Sequence, residues 1–426
     1  MKKRLKKIVA AGLATTLCAS LLVGCGSDSK SGSDSSKKSG KKTVSIWFPA
    51  YAGTDSEISD KDFWQQQLEP LAKEENCEFN IQIIPWSNYE EKYLSGVTSG
   101  QGPDIGYMSL EMMGDYISKN LLADMDSYFS DEEKENYIYY DKGTIQGKQY
   151  ALPFIVGNPR LLVGNTDILK QAGVEKMPET WDEFIAACQA VQDKCDGVKP
   201  FDQAWGGPWG NVDEDFLPYF WSAGGEILDE DGNLALDSEE GRNSVQFLYD
   251  LRFKYNFLDE ASTSNQDVRI DFEAGKTAFI VLASSNCLNL EGVNWDFTPA
   301  LKGSGDVAKT FVAADSLVLF DKCEDKDLAM KAIKLLSSAD VMSAFHKQIT
   351  EQPPITKDDP YVGDERFETL FTDYSDQFNT LSPFPNAVSF LDQVHKNLQS
   401  MMMGEMEPEN VLKDAVDYYN NNLKQQ

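Results

Sequence analysis

The sequence is poor in histidine and in positive charge. Only two histidines occur, His346 and His395, so a His-rich metal site or a His-based triad has almost nothing to be built from. Lys and Arg number 39 against 69 Asp and Glu, for a net charge of −30. A surface of that sign repels phosphate backbones and excludes nucleic acid as a partner. There is no Cys-x-x-Cys pair, and none of the motifs GxxxxGK[ST], HExxH or GxSxG is present. No run reaches the roughly 18 apolar residues of a spanning helix. No period of about 20–50 residues repeats, which excludes a solenoid. What is present is a 41% hydrophobic and 11% aromatic chain of 426 residues. That is enough apolar surface for a sizeable core, and the length suggests roughly two or three folding units.

The first residues read as an address. Lys2, Lys3, Arg4, Lys6 and Lys7 precede an uncharged, mostly apolar run from Ile8 to Val23. The run is short for a span and right for a signal-peptide core. It ends in Leu22-Val23-Gly24-Cys25, which resembles a bacterial lipobox and makes Cys25 the expected lipidation site. Residues 1–24 are then a leader, whose loss takes five positive charges and moves the net charge from −30 to −35. Residues 25–42, rich in Gly, Ser, Asp and Lys, read as a flexible tether reaching about 20–25 Å. The expected location is the extracellular face of a cell membrane, Gram-positive-like, held by the lipid alone.

Seven cysteines occur. With Cys18 in the leader and Cys25 acylated, Cys77, Cys188, Cys195, Cys287 and Cys323 remain, and an odd number cannot all pair within one chain. Cys188 and Cys195 lie seven apart in a helical pattern, about 10 Å, too far for a disulfide. Core thiols are expected.

Strand candidates at Thr43–Phe48, Phe79–Ile84 and Asp104–Met108 alternate with helical patterns, which argues an α/β sheet. Ser87-x-x-Glu90 and Thr180-x-x-Glu183 read as capping boxes, the first opening a helix through about Thr98. Amphipathic helices are expected over Asp325–Ser337 and about Pro408–Leu423. Gly100-x-Gly102 precedes a strand instead of following one, so it is a loop and not a dinucleotide site. Asp229-Glu-Asp-Gly-Asn233 looks faintly calcium-like, but its Gly falls at the fourth position and not the sixth; a hairpin turn is the preferred reading. No metal and no cofactor is expected.

With 69 acidic residues, carboxylate pairs occur throughout and none singles itself out as a glycosidase dyad. The loop aromatics are more informative. Tyr51, Trp86, Trp205 and Trp209 sit beside Gly, Pro or Asn and off any apolar stripe. Such rings are candidate platforms for sugar faces, with nearby amides and carboxylates for the hydroxyls; the alternative is packing under a loop.

A series of blocks resembles the family 1 extracellular solute-binding proteins of bacterial ABC importers, the maltose-binding-protein-like group. They are Trp86-Ser-Asn-Tyr-Glu-Glu-Lys92 with Gly100-Gln-Gly-Pro-Asp-Ile105, Asn120-Leu-Leu-Ala-Asp-Met125, and Gly147-Lys-Gln-Tyr-Ala-Leu-Pro153. Gly164-Asn-Thr-Asp-Ile-Leu169 and Pro178-Glu-Thr-Trp-Asp-Glu-Phe184 follow in the family's order. Ala223-Gly-Gly225, Phe272-x-x-Gly275-Lys-Thr-Ala278 and Glu351-Gln-Pro-Pro354 complete it. Asn120 and Gly164 depart from the family's usual Gly and Tyr.

The resemblance implies an α/β fold of two lobes, the type II periplasmic-binding-protein fold. Ligand is held in the cleft between lobes joined by crossing strands. It places lobe 1 at 43–153 plus 305–350 and lobe 2 at 154–304 plus 351–426. It implies no catalysis, hinge closure on a carbohydrate (an oligosaccharide), and delivery to ABC permease subunits and their ATPase by a monomer. Ligand-binding candidates by position are Tyr51, Glu111, Asn158, Arg160, Trp205, Trp209, Asn211, Ser285, Asn286 and Asp315. Stacking falls to Trp205 or Trp209, and hydroxyl recognition to Glu111, Asn158 and Asp315. Arg160 suits either a neutral sugar or a ligand carboxylate. A polyamine or peptide cargo, a sensor partner of a membrane kinase, and a surface glycoside hydrolase stay open as alternatives.

Overall fold

The computed structural model describes residues 41–53, 56–206, 212–258, 265–350, 352–361 and 363–424. The leader, Cys25, nearly all of the tether, Trp209 and Asn211 therefore lie outside the described residues.

Along the chain, strands β1 (Lys42–Pro49), β2 (Cys77–Ile84), β3 (Ile105–Met108) and β4 (Leu152–Gly157) come first. β5 (Arg160–Asn165), β6 (Lys199–Asp202), β7 (Thr277–Ala283) and β8 (Trp295–Thr298) follow. β9 (Thr310–Phe311), β10 (Ala313–Leu319) and β11 (Phe378–Asn379) come last. They build two main sheets. The first has the order β2-β1-β3-β10-β4 and the second β8-β5-β7-β6. β1, β2 and β3 are mutually parallel, while β10 runs antiparallel to β3 and β4. In the second sheet β6 runs parallel to β7, and β5 antiparallel to both its neighbours.

There are two apolar cores, and the second sheet borders both: Leu161, Val163, Ile280 and Leu282 pack in the first core, Leu162, Phe201 and Phe279 in the second. β1 buries Val44, Ile46 and Phe48 on one face and Trp47 on the other, as a strand covered on both sides must. The helix Asp60–Glu74 covers it with Phe63, Trp64 and Leu68, and Phe48 stacks on Trp64 at 4.6 Å. The helix Lys326–Leu336 adds Leu328, Ala329, Ala332, Ile333 and Leu336 at helical spacing. Phe184, Phe201, Phe216, Phe220 and Phe279 centre the second core.

β4, in the first sheet, runs through Asn158-Pro159 into β5, in the second, and β9, which pairs with β11, runs through Val312 into β10 of the first sheet. Asn158 sits at φ 54°, a left-handed conformation that Asn tolerates better than most side chains. Gly157 admits no Cβ: one built there would lie 2.8 Å from Pro353 Cδ and 2.9 Å from Gln352 Oε1. Pairing of β10 with β4 shifts register between Asp315 and Ser316, a bulge that re-aims the strand at the crossing.

Local expectations mostly hold, with three differences. Ser87 does not cap: Trp86–Asn88 forms a 3₁₀ turn and the α-helix starts at Tyr89 without a side-chain cap. Burial of Tyr89 and Tyr93 on one helical face sets that start. Thr180 caps through the Glu183 N–H, but the Glu183 carboxylate accepts from the Glu179 N–H, so only half the box forms. The last amphipathic helix ends at Tyr418 and continues as a π turn over Tyr419–Leu423. Asp229–Asn233 is a turn between paired Leu228 and Leu234, with Asp229 Oδ1 accepting from the Asp231 and Asn233 N–H groups. Cys77, Cys188, Cys195, Cys287 and Cys323 are buried free thiols. Among the described residues no helix is long and apolar enough to cross a membrane, and no cluster of His, Cys, Asp and Glu could hold a metal.

Candidate functional site

In open α/β sheets ligands collect outside the carboxyl ends of parallel strands. Here β1 ends at Pro49 and leads to Tyr51, β2 leads to Trp86, and β3 leads to Glu111 in the first turn of the helix Leu110–Ser118. In the second sheet, β6 leads to Trp205 and β7 to Ser285 and Asn286. Ala283, at the end of β7, pairs with Arg160 at the start of β5. The carboxyl ends of both sheets thus face the crossing strands.

Tyr51 is held there by an acid at a helix start. The buried Asp60 carboxylate accepts hydrogen bonds from the Tyr51 N–H at 3.1 Å and the Ala52 N–H at 3.0 Å. This fixes the loop after β1. The Tyr51 hydroxyl meets that of Tyr107, and the Tyr107 hydroxyl donates to Asp315 Oδ2 at 2.9 Å. Burial, then the nearby Asp315 charge, drives both phenols well above their usual range. Burial also raises the Asp315 carboxyl to about 6, against the opposing pull of the Tyr107 hydrogen bond and the Arg160 charge.

Arg160 is the positive member. Its Nη1 donates to the Asn158 carbonyl, its Nε lies 3.4 Å from Glu214 Oε1, and its guanidinium sits 4.9 Å from the centre of the Phe311 ring. The Asn158 side-chain oxygen accepts from the Ser285 N–H at 3.2 Å, tying the β4–β5 crossing to the end of β7. Tyr51 and Asp315 are thus linked through Tyr107, and Arg160 and Ser285 through Asn158; pairing of Ala313 with Gly157 sets the two groups on neighbouring strands as a polar seam.

The remaining candidates are placed differently. Glu111 lies half-buried at the end of the first sheet, and Asn286 is exposed in the short helix Ser284–Cys287. Trp205 is 5% exposed, packs in the second core, and presents no open face. Trp86, by contrast, is 49% exposed and meets Tyr51 edge-on at 5.6 Å and Tyr107 at 6.2 Å. It is the open aromatic at this end of the first sheet. Trp86 stood out in the sequence as a loop aromatic. Asp60, Tyr107, Glu214 and Phe311 gave no such signal, because an acid in a helix turn and rings inside strands look like ordinary structure.

The cavity at the crossing, lined by Asn158, Ser285, Gln352 and Tyr361 among others, measures about 20 Å³. That is room for one water. A larger hollow of about 650 Å³ lies beside β2 and the helix Asp60–Glu74, away from the polar seam.

The model of the family described as bacterial extracellular solute-binding protein matches residues 54–343. A binding protein of Brucella abortus (strain 2308) is 26% identical over 350 residues, covering 79% of this chain and 83% of that one. The diacetylchitobiose binding protein DasA of Streptomyces coelicolor is 25% identical over 242 residues, 55% of this chain and 52% of that one. Among solved structures, the cyclic alpha-maltosyl-1,6-maltose binding protein from Arthrobacter globiformis superposes with a TM-score of 0.73 at 20% identity. It covers 91% of this chain and 100% of its own. The two-lobe, type II α/β architecture expected from the sequence is the fold observed.

Proposed function

Because this chain belongs to the bacterial extracellular solute-binding proteins, we propose that it captures an oligosaccharide between its two lobes and delivers it to the permease of an ABC importer. The carrying observation is the seam at the crossing strands: an open Trp86 beside Tyr51, with Asp315, Arg160 and Asn158 next to it. Rings of this kind cover the apolar faces of a pyranose, and the polar groups exchange hydrogen bonds with its hydroxyls. The similarity to proteins named for diacetylchitobiose and for arabinooligosaccharide supports the class of cargo.

The two sheets act as lobes with boundaries near residue 153, near 305 and near 350. Cargo enters when the lobes part about the 157–160 and 311–313 crossings and is enclosed when they close. Cys25 carries the lipid, the 25–42 tether keeps the body at the outer membrane face, and the protein acts as a monomer without catalysis. Tyr51, Trp86, Asn158, Arg160 and Asp315 form the inner contacts, with Glu111, Ser285 and Asn286 around them.

A thermal-shift screen of the mature chain carrying Cys25→Ser tests this against mono- and oligosaccharides, polyamines and peptides. Ligand at 100 times its Kd adds about 2.7 kcal/mol and a readable shift. A shift confined to one oligosaccharide series, with no turnover by chromatography, is the expected result. A shift with polyamine or peptide alone overturns the cargo class, and cleavage of any sugar overturns the binding-protein reading.

A further inference from the structure

The seam holds more negative than positive charge, and its Arg is already engaged. Arg160 and Glu214 are both largely buried, with side chains 13% and 7% exposed. Besides Glu214, the guanidinium is held by the Asn158 carbonyl and lies over the Phe311 ring. Near the crossing lies Asp315, whose carboxylate Oδ2 accepts from the Tyr107 hydroxyl at 2.9 Å. Glu214 therefore pairs with the guanidinium, and a second acid, Asp315, lies on the neighbouring strand.

Resting on the oligosaccharide reading, we propose that Glu214 is a specificity-determining residue: by holding Arg160 it restricts the cleft to uncharged glycans and shuts out uronic acids. An incoming carboxylate has two obstacles. To reach Arg160 it must displace Glu214 from a largely buried ion pair, and breaking such a pair is costly. It must also approach Asp315, a like charge in a site that water screens poorly. A neutral sugar meets neither obstacle: its hydroxyls donate to Asp315 and leave the Arg160–Glu214 pair whole. Like-charge exclusion of this kind sets specificity by penalising the wrong ligand. Arg160 had looked equally suited to an acidic sugar in the sequence; Glu214 is what removes that option.

The test is calorimetric titration of wild type and Glu214→Gln with matched pairs: galactotriose against trigalacturonic acid, and glucose against glucuronic acid. Wild type is expected to bind the neutral member of its preferred pair at least tenfold more tightly. Glu214→Gln is expected to cut that ratio at least tenfold, with the acidic member gaining. Asp315→Asn removes the other carboxylate and is expected to narrow the ratio too, which keeps the test decisive should Glu214→Gln not fold. Tighter uronate binding by wild type, or an unchanged ratio in the folded variants, overturns the selector alone. Binding of neither member of any pair, nor of any other sugar, overturns the oligosaccharide reading and the selector with it.

Discussion

Asp315→Asn probes the seam through its pH dependence. Burial raises the Asp315 carboxyl to about 6, above the usual carboxylate range. Its folded-state pKa is above its unfolded one, so protonation favours the folded state. The stabilisation is complete below the unfolded pKa and is lost as pH rises through 6. That displacement is worth about 3 kcal/mol in full. Between pH 7.5 and pH 5 only part is recovered, about 1.4 kcal/mol.

Other groups titrate in that window. Burial, then Lys347, pushes His346 down to about 4; burial, then Asp358, pushes Asp359 up to about 6. The two are 3.6 Å apart and fully buried. As pH falls, His346 destabilises the folded state and Asp359 stabilises it, so the two largely offset. Subtracting the variant from wild type removes both. Urea denaturation of each protein at pH 5 and 7.5 is the assay. The expected result is a wild-type gain at pH 5 that exceeds the gain of Asp315→Asn by about 1–1.5 kcal/mol. Equal gains in the two proteins refute the placement of Asp315 as a buried acid in the seam.

Further expectations follow from single contacts. Asp60→Ala frees the Tyr51 and Ala52 N–H groups, and costs about 1–3 kcal/mol in denaturation together with a loss of sugar affinity by titration. Gly157→Ala forces a methyl against Pro353 and Gln352, and is expected to cost about 1–3 kcal/mol by the same assay. The double variant His346→Leu with Asp359→Leu removes a buried polar pair in which neither side chain has a hydrogen-bond partner among the described residues, and is expected to raise the melting temperature. The five buried thiols of the Cys25→Ser protein are expected to react with a thiol reagent only after denaturation.

Much of the fold was legible in the sequence because burial leaves a period. FNIQII alternates as a half-buried strand does, TVSIWF is a short apolar run that proves to be buried on both faces, and Ala329, Ile333 and Leu336 repeat as a helix face does. Failures came where tertiary packing overrode local chemistry. Ser87 has the residues of a capping box, yet burying Tyr89 and Tyr93 moved the helix start past it. The site was legible by position but not by partner. Tyr51, Arg160 and Asp315 follow from strand ends and crossings, but Asp60, Tyr107 and Glu214 act through contacts across 9, 208 and 54 residues of chain. No local pattern marks such contacts. Trp205 shows the converse: beside Gly206 it read as a loop platform, but its ring fills the second core.

The central claim is that cargo binds at the crossing seam under Trp86 and Tyr51. The most direct measurement is calorimetric titration of wild type and Trp86→Ala with the oligosaccharide that gives the largest thermal shift. The account predicts saturable one-to-one binding by wild type and at least tenfold weaker binding by the variant, a loss of about 1.4 kcal/mol or more. Equal affinity in the two proteins would contradict it, as would the absence of any sugar binding by wild type.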